Sequence, residues 1–331
     1  MVFQITEENI TQAAQIIING GLVAFPTETV YGLGADAFNQ DAVARIFEVK
    51  QRPRFDPLIV HIAAYDALPR LANCARLPAQ RQTQLGLLAR NFWPGPLTLI
   101  LPKQSAVPDI VTAGNDTVAV RLPAHDAACA LIERSTGALA APSANPFGYL
   151  SPTCAEHVEA QLGAKIDAIL DGGTAQIGVE STVLDLCGAV PRILRPGGVS
   201  AGDITCVLGA PPELPQESPT AIPADACVSP GQLSSHYAPQ TPLLLIERHD
   251  KPPRTAGVAY LYISKAEHPA LCGDEYVFLS AEGSLTEAAA NLFAALHRLD
   301  GGAWTQIIAE KAENNGIGRA INDRLIRAAR R

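Results

Sequence analysis

The chain has 331 residues, 47% of them hydrophobic, which is enough for one large domain and a smaller one with separate cores. Its formal net charge of −8 argues against tight, direct binding of nucleic acid, because phosphate neutralisation requires concentrated Lys and Arg. Local basic pockets stay compatible with this charge.

The N-terminal residues and the cysteine pattern indicate the cellular location. The N-terminal sequence MVFQITEENI has neither a basic start nor a long apolar core, and no later run approaches ~18 apolar residues. We therefore expect a cytoplasmic protein that does not contact a membrane. The 7 cysteines never form a CxxC pair, which argues against a zinc site or a disulfide framework.

The first informative stretch opens with a short apolar run. Residues 22–25 predict a buried strand that ends at Pro26, which lacks a backbone donor. Thr27 and Thr29 follow it, where hydroxyl groups can face a cleft and bind a polar ligand. A glycine turn is expected next, between these threonines and a helix.

A helix with cations at its end follows. Asp41 is expected to cap this helix, whose last residue is Lys50, with Arg52 just beyond. Such cations are either solvated charges that complement the helix dipole or an anion site. His61 then lies inside a predicted strand, where a lone histidine is more often a packed core group than a functional one.

Three later strands each end on a polar residue or loop. Residues 117–122 alternate as in a strand, and Arg121 at its end is either a rim charge or a carboxylate clamp. The strand at 139–141 leads into a loop of small polar residues, which is either a ligand-binding loop or an ordinary polar one. The strand at 193–195 ends on Arg195 and a glycine turn.

The composition changes near Gly209. Residues 209–240 are rich in proline and predict an extended, fairly stiff linker, which ends in His236 and Tyr237. In residues 241–331, strands alternate with helices, as in a small parallel α/β domain. Ser284 and Glu287 predict a capping box at the start of one of these helices. The predicted domains are thus 1–208, the linker, and 241–331.

The sequence does not support either of two general nucleotide-binding motifs. The P-loop pattern GxxxxGK[ST] does not occur in the sequence. Residues 32–37 fit the loose GxGxxA pattern, but five residues separate them from the strand that should lead directly into such a motif. A nicotinamide-dependent enzyme is therefore disfavoured.

Several strings together resemble the threonylcarbamoyl-AMP synthases, a YrdC-like family. PTETVYGLG and the spacing of Lys50, Arg52 and His61 match the family pattern in order, and the agreement extends over about Gly20 to Gly198. SPGQLSSHYAP and GIGRAINDR resemble the long, two-domain members. The resemblance implies an α/β protein with a large N-terminal twisted mixed-sheet domain and a small C-terminal parallel-sheet domain.

The resemblance also implies a reaction. Members of the family are nucleotidyltransferases that condense L-threonine, bicarbonate or CO2, and ATP into threonylcarbamoyl-AMP and pyrophosphate, with Mg²⁺. The product serves the threonylcarbamoyladenosine modification of tRNA, and a separate transferase complex is the expected downstream partner. The attacking group is a carbamate of threonine itself, so no side-chain nucleophile is needed.

Site residues follow from the same resemblance. It assigns threonine binding to Thr29, His61, Arg121 and Ser181, and phosphate chemistry to Lys50 and Arg52 as catalytic residues. It assigns ATP binding to Lys50, Arg52, Asp56, Thr117, Ser143, Asn145, Ser151, Arg195 and Tyr237. No side-chain metal ligand is identified. Asp56 replaces the usual asparagine, and Ala141 replaces a threonine, so the sequence departs from the family at two positions.

Two alternatives stay open. A module that binds double-stranded RNA or tRNA could use the same fold, although the net charge of −8 opposes it. A carbamoyl-transfer module of metal-centre maturation is the other, and the lack of CxxC motifs opposes it. A nucleotide-closing linker that ends in Tyr237 favours the synthase over both.

Overall fold

The computed structural model describes residues 1–215, 228–231, 233 and 235–330. The strands are β1 Val2–Gln4, β2 Val23–Phe25, β3 Gly32–Asp36, β4 Ile59–Ile62, β5 Leu97–Pro102, β6 Thr117–Arg121, β7 Ala138–Ala140, β8 Ala168–Asp171, β9 Thr182–Asp185, β10 Arg192–Arg195, β11 Leu243–Ile246, β12 Val258–Ser264, β13 Tyr276–Ser280 and β14 Gln306–Glu310. The helices are α1 Glu7–Ile18, α2 Gln40–Lys50, α3 Ala79–Phe92, α4 Asp109–Thr112, α5 Asp126–Arg134, α6 Ala155–Leu162, α7 Ala201–Leu208, α8 Leu285–Asp300 and α9 Gly318–Ala328. None of the helices in these described ranges is long and apolar enough to cross a membrane.

The N-terminal part is built on one large mixed sheet. Its strand order is β1-β8-β2-β3-β7-β4-β6-β5-β9-β10, with parallel and antiparallel neighbours. Helices and the apolar side chains of these strands form the main core, which includes Leu33, Val60 and Leu99. The predicted mixed-sheet α/β domain is therefore confirmed.

The glycine turn expected between the threonines and α2 is wrong, because both glycines of this stretch lie in a strand. Gly32 and Gly34 lie in β3, which pairs antiparallel with β2. Their lack of a side chain matters for packing: a Cβ on Gly34 would lie 2.8 Å from the ring of Phe25, and one on Gly32 would lie 3.2 Å from it. Glycine is needed here for close approach of a ring in the neighbouring strand, a requirement that its chain position does not reveal.

The start of α2 also differs from the prediction. Asn39, not Asp41, is the N-cap, and its side-chain oxygen accepts hydrogen bonds from the backbone N–H groups of Asp41 and Ala42. The helix ends at Lys50 as expected, and Gln51 follows in the left-handed conformation with φ 54°. This reversal ends the helix and turns the chain into the segment that begins at Arg52.

The C-terminal part contains the predicted parallel sheet. Its four strands follow the order β11-β14-β12-β13, and all pairs are parallel. The hydroxyl oxygen of Ser284 accepts a hydrogen bond from the Glu287 N–H, so the predicted N-cap of α8 is present. The Glu287 carboxylate instead accepts a hydrogen bond from Ser280, so the reciprocal half of the capping box is absent between these two residues.

Side chains of α8 and α9 contact the large domain. His297 of α8 stacks on His157 of α6, with ring centroids 4.0 Å apart. Arg324 of α9 reaches a carboxylate in the large domain, as described below. Part of the predicted linker, residues 216–227, 232 and 234, lies outside the described residues, and the predicted domain boundaries stay predictions.

Candidate active site

A cavity of about 50 Å³ lies against one face of the large sheet. We define its wall as Ile59, His61 and Arg121, which come from the neighbouring strands β4 and β6. We define its cover as Gly231, His236 and Tyr237, from the end of the predicted linker. Further lining residues that bear on the site are Thr29, Arg52, Ala141, Ser143, Glu180, Ser181 and Arg195.

Strand register places the wall residues side by side. In the parallel pair of β4 and β6, Ile59 lies opposite Ala119, and His61 lies opposite Arg121. Side chains of a strand alternate between its faces, so Ile59 and His61 point to one side. Apolar neighbours on the sheet, including Ile100 and Leu194, pack with Ile59 and fix this surface.

Arg121 is buried and already paired with an acid. Its guanidinium lies 2.7 Å from Oε1 of Glu28, and both side chains are only 5% exposed. Its Nε also donates to the Gly95 carbonyl at 3.3 Å. Arg121 is therefore a carboxylate-binding group in this structure, and its carboxylate comes from the chain itself.

His61 is held as a neutral imidazole. Burial, and then the nearby Arg121 guanidinium, lower the pKa of His61 to about 3. Its ring packs edge-on against Phe25 at a centroid distance of 6.0 Å. An imidazole with so low a pKa is a poor general base at neutral pH, so His61 can contribute hydrogen bonding and shape but little proton abstraction.

The hydroxyl groups near the wall form local networks. Ser181 Oγ lies 2.8 Å from Thr98 Oγ1, and it accepts a hydrogen bond from Arg195 at 3.1 Å. Thr29 Oγ1 lies 2.9 Å from Thr27 Oγ1, which donates to the Val30 carbonyl. These bonds fix the hydroxyl positions before any ligand arrives, a form of preorganisation.

The arginines that the family resemblance assigns to phosphate are also paired inside the protein. Arg52 lies 2.8 Å from Asp56 Oδ2 and donates to the carbonyls of Asp56 and Pro57. Asp56 is fully buried, so the acid that departs from the family pattern neutralises Arg52 in this structure. Arg195 donates to the Ser181 carbonyl at 3.0 and 3.1 Å, and burial lowers its pKa.

Lys50 lies behind the cavity rather than on its surface. Its ammonium donates to the carbonyls of Ser143, at 2.6 Å, and Asn145. Burial, and then the charge of Arg52, lower the pKa of Lys50 well below its usual value. In this structure Lys50 holds the polar loop in place, and its contact with phosphate stays a prediction.

The polar loop is organised by its own side chains. The amide of Asn145 donates to the carbonyls of Pro146 and Tyr149, both at 2.9 Å. The Ser151 hydroxyl donates to Glu180. Of the loop residues assigned to ATP, Ser143 lines the cavity, whereas Asn145 and Ser151 do not.

Thr117 lies farther along the same face. It begins β6, four residues before Arg121, so alternation places both on the same face. At a strand rise of about 3.4 Å per residue, the two lie roughly 13 Å apart. Thr117 is outside the cavity lining, and its role in ATP binding stays a prediction.

The cover is buried and tied to both domains. Tyr237 is 2% exposed, its backbone is left-handed with φ 61°, and burial raises its pKa. The Arg324 guanidinium lies 5.0 Å from the centre of its ring, and Phe293 packs beside it. His236 contacts Phe147, with ring centroids 5.6 Å apart. The last described part of the linker is thus an ordered element of the site.

A buried ion pair holds in place the arginine that packs on the cover. Arg324 Nε of α9 donates to Glu180 Oε2 at 2.6 Å, and Arg324 also donates to the Pro196 carbonyl. Although burial opposes it, the Arg324 and Arg195 guanidiniums lower the pKa of Glu180. Glu180 precedes Ser181 directly, so α9 fixes the segment that carries one of the predicted threonine ligands.

Glu28, Glu180 and Arg324 were not identified as site residues from sequence. Glu28 stands inside the string PTETVYGLG, and Glu180 stands between Val179 and Ser181. An acid set among small and apolar residues was the available signal. Arg324 stands in GIGRAINDR, whose role could not be derived from the sequence. Its partner lies 144 residues away, and no local pattern predicts such a pair.

Comparison with known families covers almost the whole chain. The sequence model for Sua5, YciO and YrdC proteins, described as telomere recombination, matches residues 15–197. A second, described as the C-terminal domain of threonylcarbamoyl-AMP synthase, matches residues 199–330.

Relatives and a solved structure agree with these matches. A relative from Pyrococcus abyssi named threonylcarbamoyl-AMP synthase is 43% identical, over 98% of this chain and 95% of its own length. One of the same name from Bacillus subtilis is 42% identical, over 98% of this chain and 93% of its own length. The crystal structure of P. abyssi Sua5 complexed with L-threonine superposes with a TM-score of 0.88 at 40% identity, covering 99% of this chain and 97% of that one.

Proposed function

The chain belongs to the Sua5/YciO/YrdC family in its two-domain, threonylcarbamoyl-AMP synthase form, and we propose that it condenses L-threonine, bicarbonate or CO2, and ATP into threonylcarbamoyl-AMP and pyrophosphate. One observation carries this proposal. Residues assigned to threonine (His61, Arg121, Ser181) and to phosphate (Arg52, Arg195) line the same cavity.

Threonine is bound at the wall. Arg121 binds its carboxylate, and the neutral His61 and the Ser181 hydroxyl provide hydrogen bonds around the amino-acid backbone. Because Glu28 is paired with Arg121, the substrate carboxylate must share this guanidinium or displace Glu28 from it. The neutral threonine amine forms an N–C bond to CO2 and releases one proton to solvent, which gives the carbamate that acts as the nucleophile.

The phosphates of ATP are bound by Arg52 and Arg195, and the rest of the nucleotide lies toward the polar loop. The carbamate oxygen attacks the α-phosphorus, the bond to the β-phosphate oxygen breaks, and pyrophosphate leaves with the electron pair. Catalysis of this step requires alignment and neutralisation of charge rather than a side-chain nucleophile. Arg52 and Arg195 supply the positive charge, while Lys50 fixes the Ser143 and Asn145 carbonyls behind them.

Mg²⁺ enters this proposal together with ATP. Two carboxylates accompany the residues assigned to ATP, and each is already paired with an arginine: Asp56 with Arg52, and Glu180 with Arg324. These donors fit an ion that is held by the phosphate oxygens better than one held by the protein. Mg²⁺ would supply positive charge that offsets the negative charge of the triphosphate.

The cover is proposed to act as a lid. A cavity of about 50 Å³ holds roughly four water molecules, and nucleotide sites usually require several hundred cubic ångströms. His236 and Tyr237 must therefore move for ATP to enter and for the product to leave. The product is passed to a cytoplasmic transferase complex that modifies tRNA.

The proposal is tested by pyrophosphate release from ATP with Mg²⁺. Release is expected only when threonine and bicarbonate are both present, and omission of either should reduce it to background. Pyrophosphate release that is unchanged when threonine or bicarbonate is omitted would overturn the synthase proposal. A mass-spectrometric search for the threonylcarbamoyl adenylate identifies the product independently.

A further inference from the structure

A second group of chemically reactive side chains lies in the C-terminal sheet domain, far in sequence from the site above. Glu267 and His268 follow β12, and Glu310 is the last residue of β14. One ligand atom from each of the three lies within 4.8 Å of the others. They meet at the carboxyl edge of a parallel sheet, where α/β folds bind ligands.

The distance between His268 and Glu310 is unusual for a simple hydrogen bond. His268 Nε2 lies 3.4 Å from Glu310 Oε1, whereas a hydrogen bond between charged partners is about 2.7–2.9 Å. The His268 side chain is 9% exposed, yet within the described residues Nε2 has no hydrogen-bond partner. Two ligands of one tetrahedral ion, each about 2.0–2.1 Å from it, lie about 3.4 Å apart.

The neighbouring groups hold these ligand atoms in place. The Glu310 carboxylate accepts hydrogen bonds from the backbone N–H groups of His249, at 3.2 Å, and Ile263, at 3.1 Å. The His268 ring packs on Tyr262 with centroids 4.1 Å apart. In metal sites, groups that hydrogen-bond to or pack against the metal ligands fix the orientation of those ligands.

Glu267 is the exposed member of the group. Its carboxylate accepts hydrogen bonds from Arg248, which also binds Glu313, so Arg248 is shared between two acids. His249 Nδ1 lies 3.6 Å from Glu267. The group therefore combines a buried imidazole nitrogen and a buried carboxylate with an accessible carboxylate on the solvent side.

We propose that His268 Nε2, Glu310 and Glu267 bind one divalent first-row transition-metal ion, of which Zn²⁺ is the test case. Mixed nitrogen and oxygen donors suit such an ion better than Ca²⁺ or Mg²⁺, which prefer oxygen alone. The ion links the segments after β12 and β14, and it leaves a coordination position open toward solvent. This site does not depend on the proposed synthase activity.

The test is equilibrium dialysis of the metal-depleted full chain against Zn²⁺, with bound zinc measured by mass spectrometry. His268→Phe keeps the ring contact with Tyr262, and Glu310→Gln keeps a carbonyl oxygen for the backbone donors. Each variant is expected to bind one Zn²⁺ per chain less than the unaltered protein at concentrations that saturate the latter. Glu267→Gln should weaken binding by roughly 10-fold or more.

A matched control and a second measurement keep the result interpretable. Glu275 also forms an ion pair with an arginine, Arg254, but it lies just before β13, at the opposite edge of the sheet. Glu275→Gln should therefore bind as much Zn²⁺ as the unaltered chain. Zn²⁺ should raise the melting temperature of the unaltered chain and of Glu275→Gln, but not of Glu310→Gln. Equal zinc content in the unaltered chain, His268→Phe and Glu310→Gln would overturn the proposal, as would an equal loss in Glu275→Gln.

Discussion

The wall and the cover of the candidate site are built in different ways. The wall residues His61 and Arg121 lie opposite each other in one strand pair, so the sheet register alone sets their spacing. In the cover, Tyr237 packs on Arg324 and Phe293, and the His236 N–H donates to the Arg327 carbonyl, so both depend on the C-terminal domain. One side of the site is thus fixed by the sheet and the other by packing between domains, and this difference predicts where substitutions act.

The largest effect is expected at the support of the cover. Arg324→Met leaves the Glu180 carboxylate buried without its ion-pair partner. Loss of one member of a buried pair lowers the free energy of unfolding by roughly 3–5 kcal/mol. Denaturant unfolding of the full chain measures this, and adding Glu180→Gln should restore part of the loss.

A matched surface pair provides the control for Arg324. Arg134 pairs with Glu7, and these side chains are 33% and 82% exposed. Arg134→Met should therefore lower the free energy of unfolding by about 1 kcal/mol or less. Equal losses in Arg324→Met and Arg134→Met would show that α9 does not support the site through this pair.

The next effect tests the wall. Arg121→Ala removes the guanidinium proposed to bind the threonine carboxylate. Truncating one partner of a buried charge pair costs roughly 2–5 kcal/mol, so threonine affinity should fall at least about 30-fold. ATP affinity should change by less than about 3-fold, which is roughly 0.6 kcal/mol. Titration calorimetry with each ligand measures both.

The Glu28 partner must be controlled in this experiment. Arg121→Ala alone leaves Glu28 buried and charged, which can distort the site for any ligand. The double variant Arg121→Ala, Glu28→Gln removes that charge and should retain the selective loss of threonine binding. If threonine and ATP lose affinity equally in the double variant, the assignment of Arg121 to threonine is wrong.

A smaller effect is expected from the buried imidazole of the wall. The folded pKa of His61 is about 3, and the unfolded value is about 6.5, so between these values the unfolded state binds more protons. The free energy of unfolding must therefore fall as the pH falls below about 6.5. At pH 5 the loss attributable to His61 is about 2 kcal/mol, from roughly 1.5 pH units at 1.36 kcal/mol each.

Unfolding measured from pH 8 to pH 5 tests this dependence. His61→Asn removes the titrating group, so its free energy of unfolding should fall less steeply with acid than that of the unaltered chain. Burial, followed by the charges of Arg52 and Lys50, also lowers the pKa of His236, so His236→Asn should change the slope in the same direction. Identical slopes for the unaltered chain and His61→Asn would contradict a buried neutral His61.

The sequence predicted what depends on local pattern. Alternation and apolar runs placed β4, β6 and β10 within a residue or two, and with them His61, Arg121 and Arg195. The role of Gly34 was missed because it depends on the ring of Phe25 in the next strand. Site residues assigned from the family resemblance line the cavity where they lie in strands, as Arg121 does. Those in loops line it less often, and Asn145 does not.

The ion pairs could not be predicted for a different reason. Arg121 was left as either a rim charge or a carboxylate clamp, because nothing near it in the chain identifies Glu28 as its partner. Arg324 and Glu180 are likewise joined only when the two domains pack. Pairing of buried charges depends on tertiary structure, whereas periodicity reports only which face a residue occupies.

The smallest expected effect is that of a substitution in the cover, which should change the affinity for ATP but not the affinity for threonine. Tyr237→Phe keeps the ring that packs on Phe293 and Arg324 and removes only the hydroxyl. If Tyr237 closes over the nucleotide with that hydroxyl, ATP affinity should fall by about 5-fold, the equivalent of one hydrogen bond of about 1 kcal/mol. Threonine affinity should be unchanged, because the wall does not depend on Tyr237.

Tyr260→Phe is the matched control for this last substitution. The Tyr260 hydroxyl bonds to the backbone of Pro253 and Thr255 inside the C-terminal domain, so its loss should affect neither ligand. A fall in threonine affinity equal to that in ATP affinity for Tyr237→Phe would mean that the hydroxyl shapes the whole cavity. The cover would then act as a part of the wall, and the separation between the two sides of the site would fail.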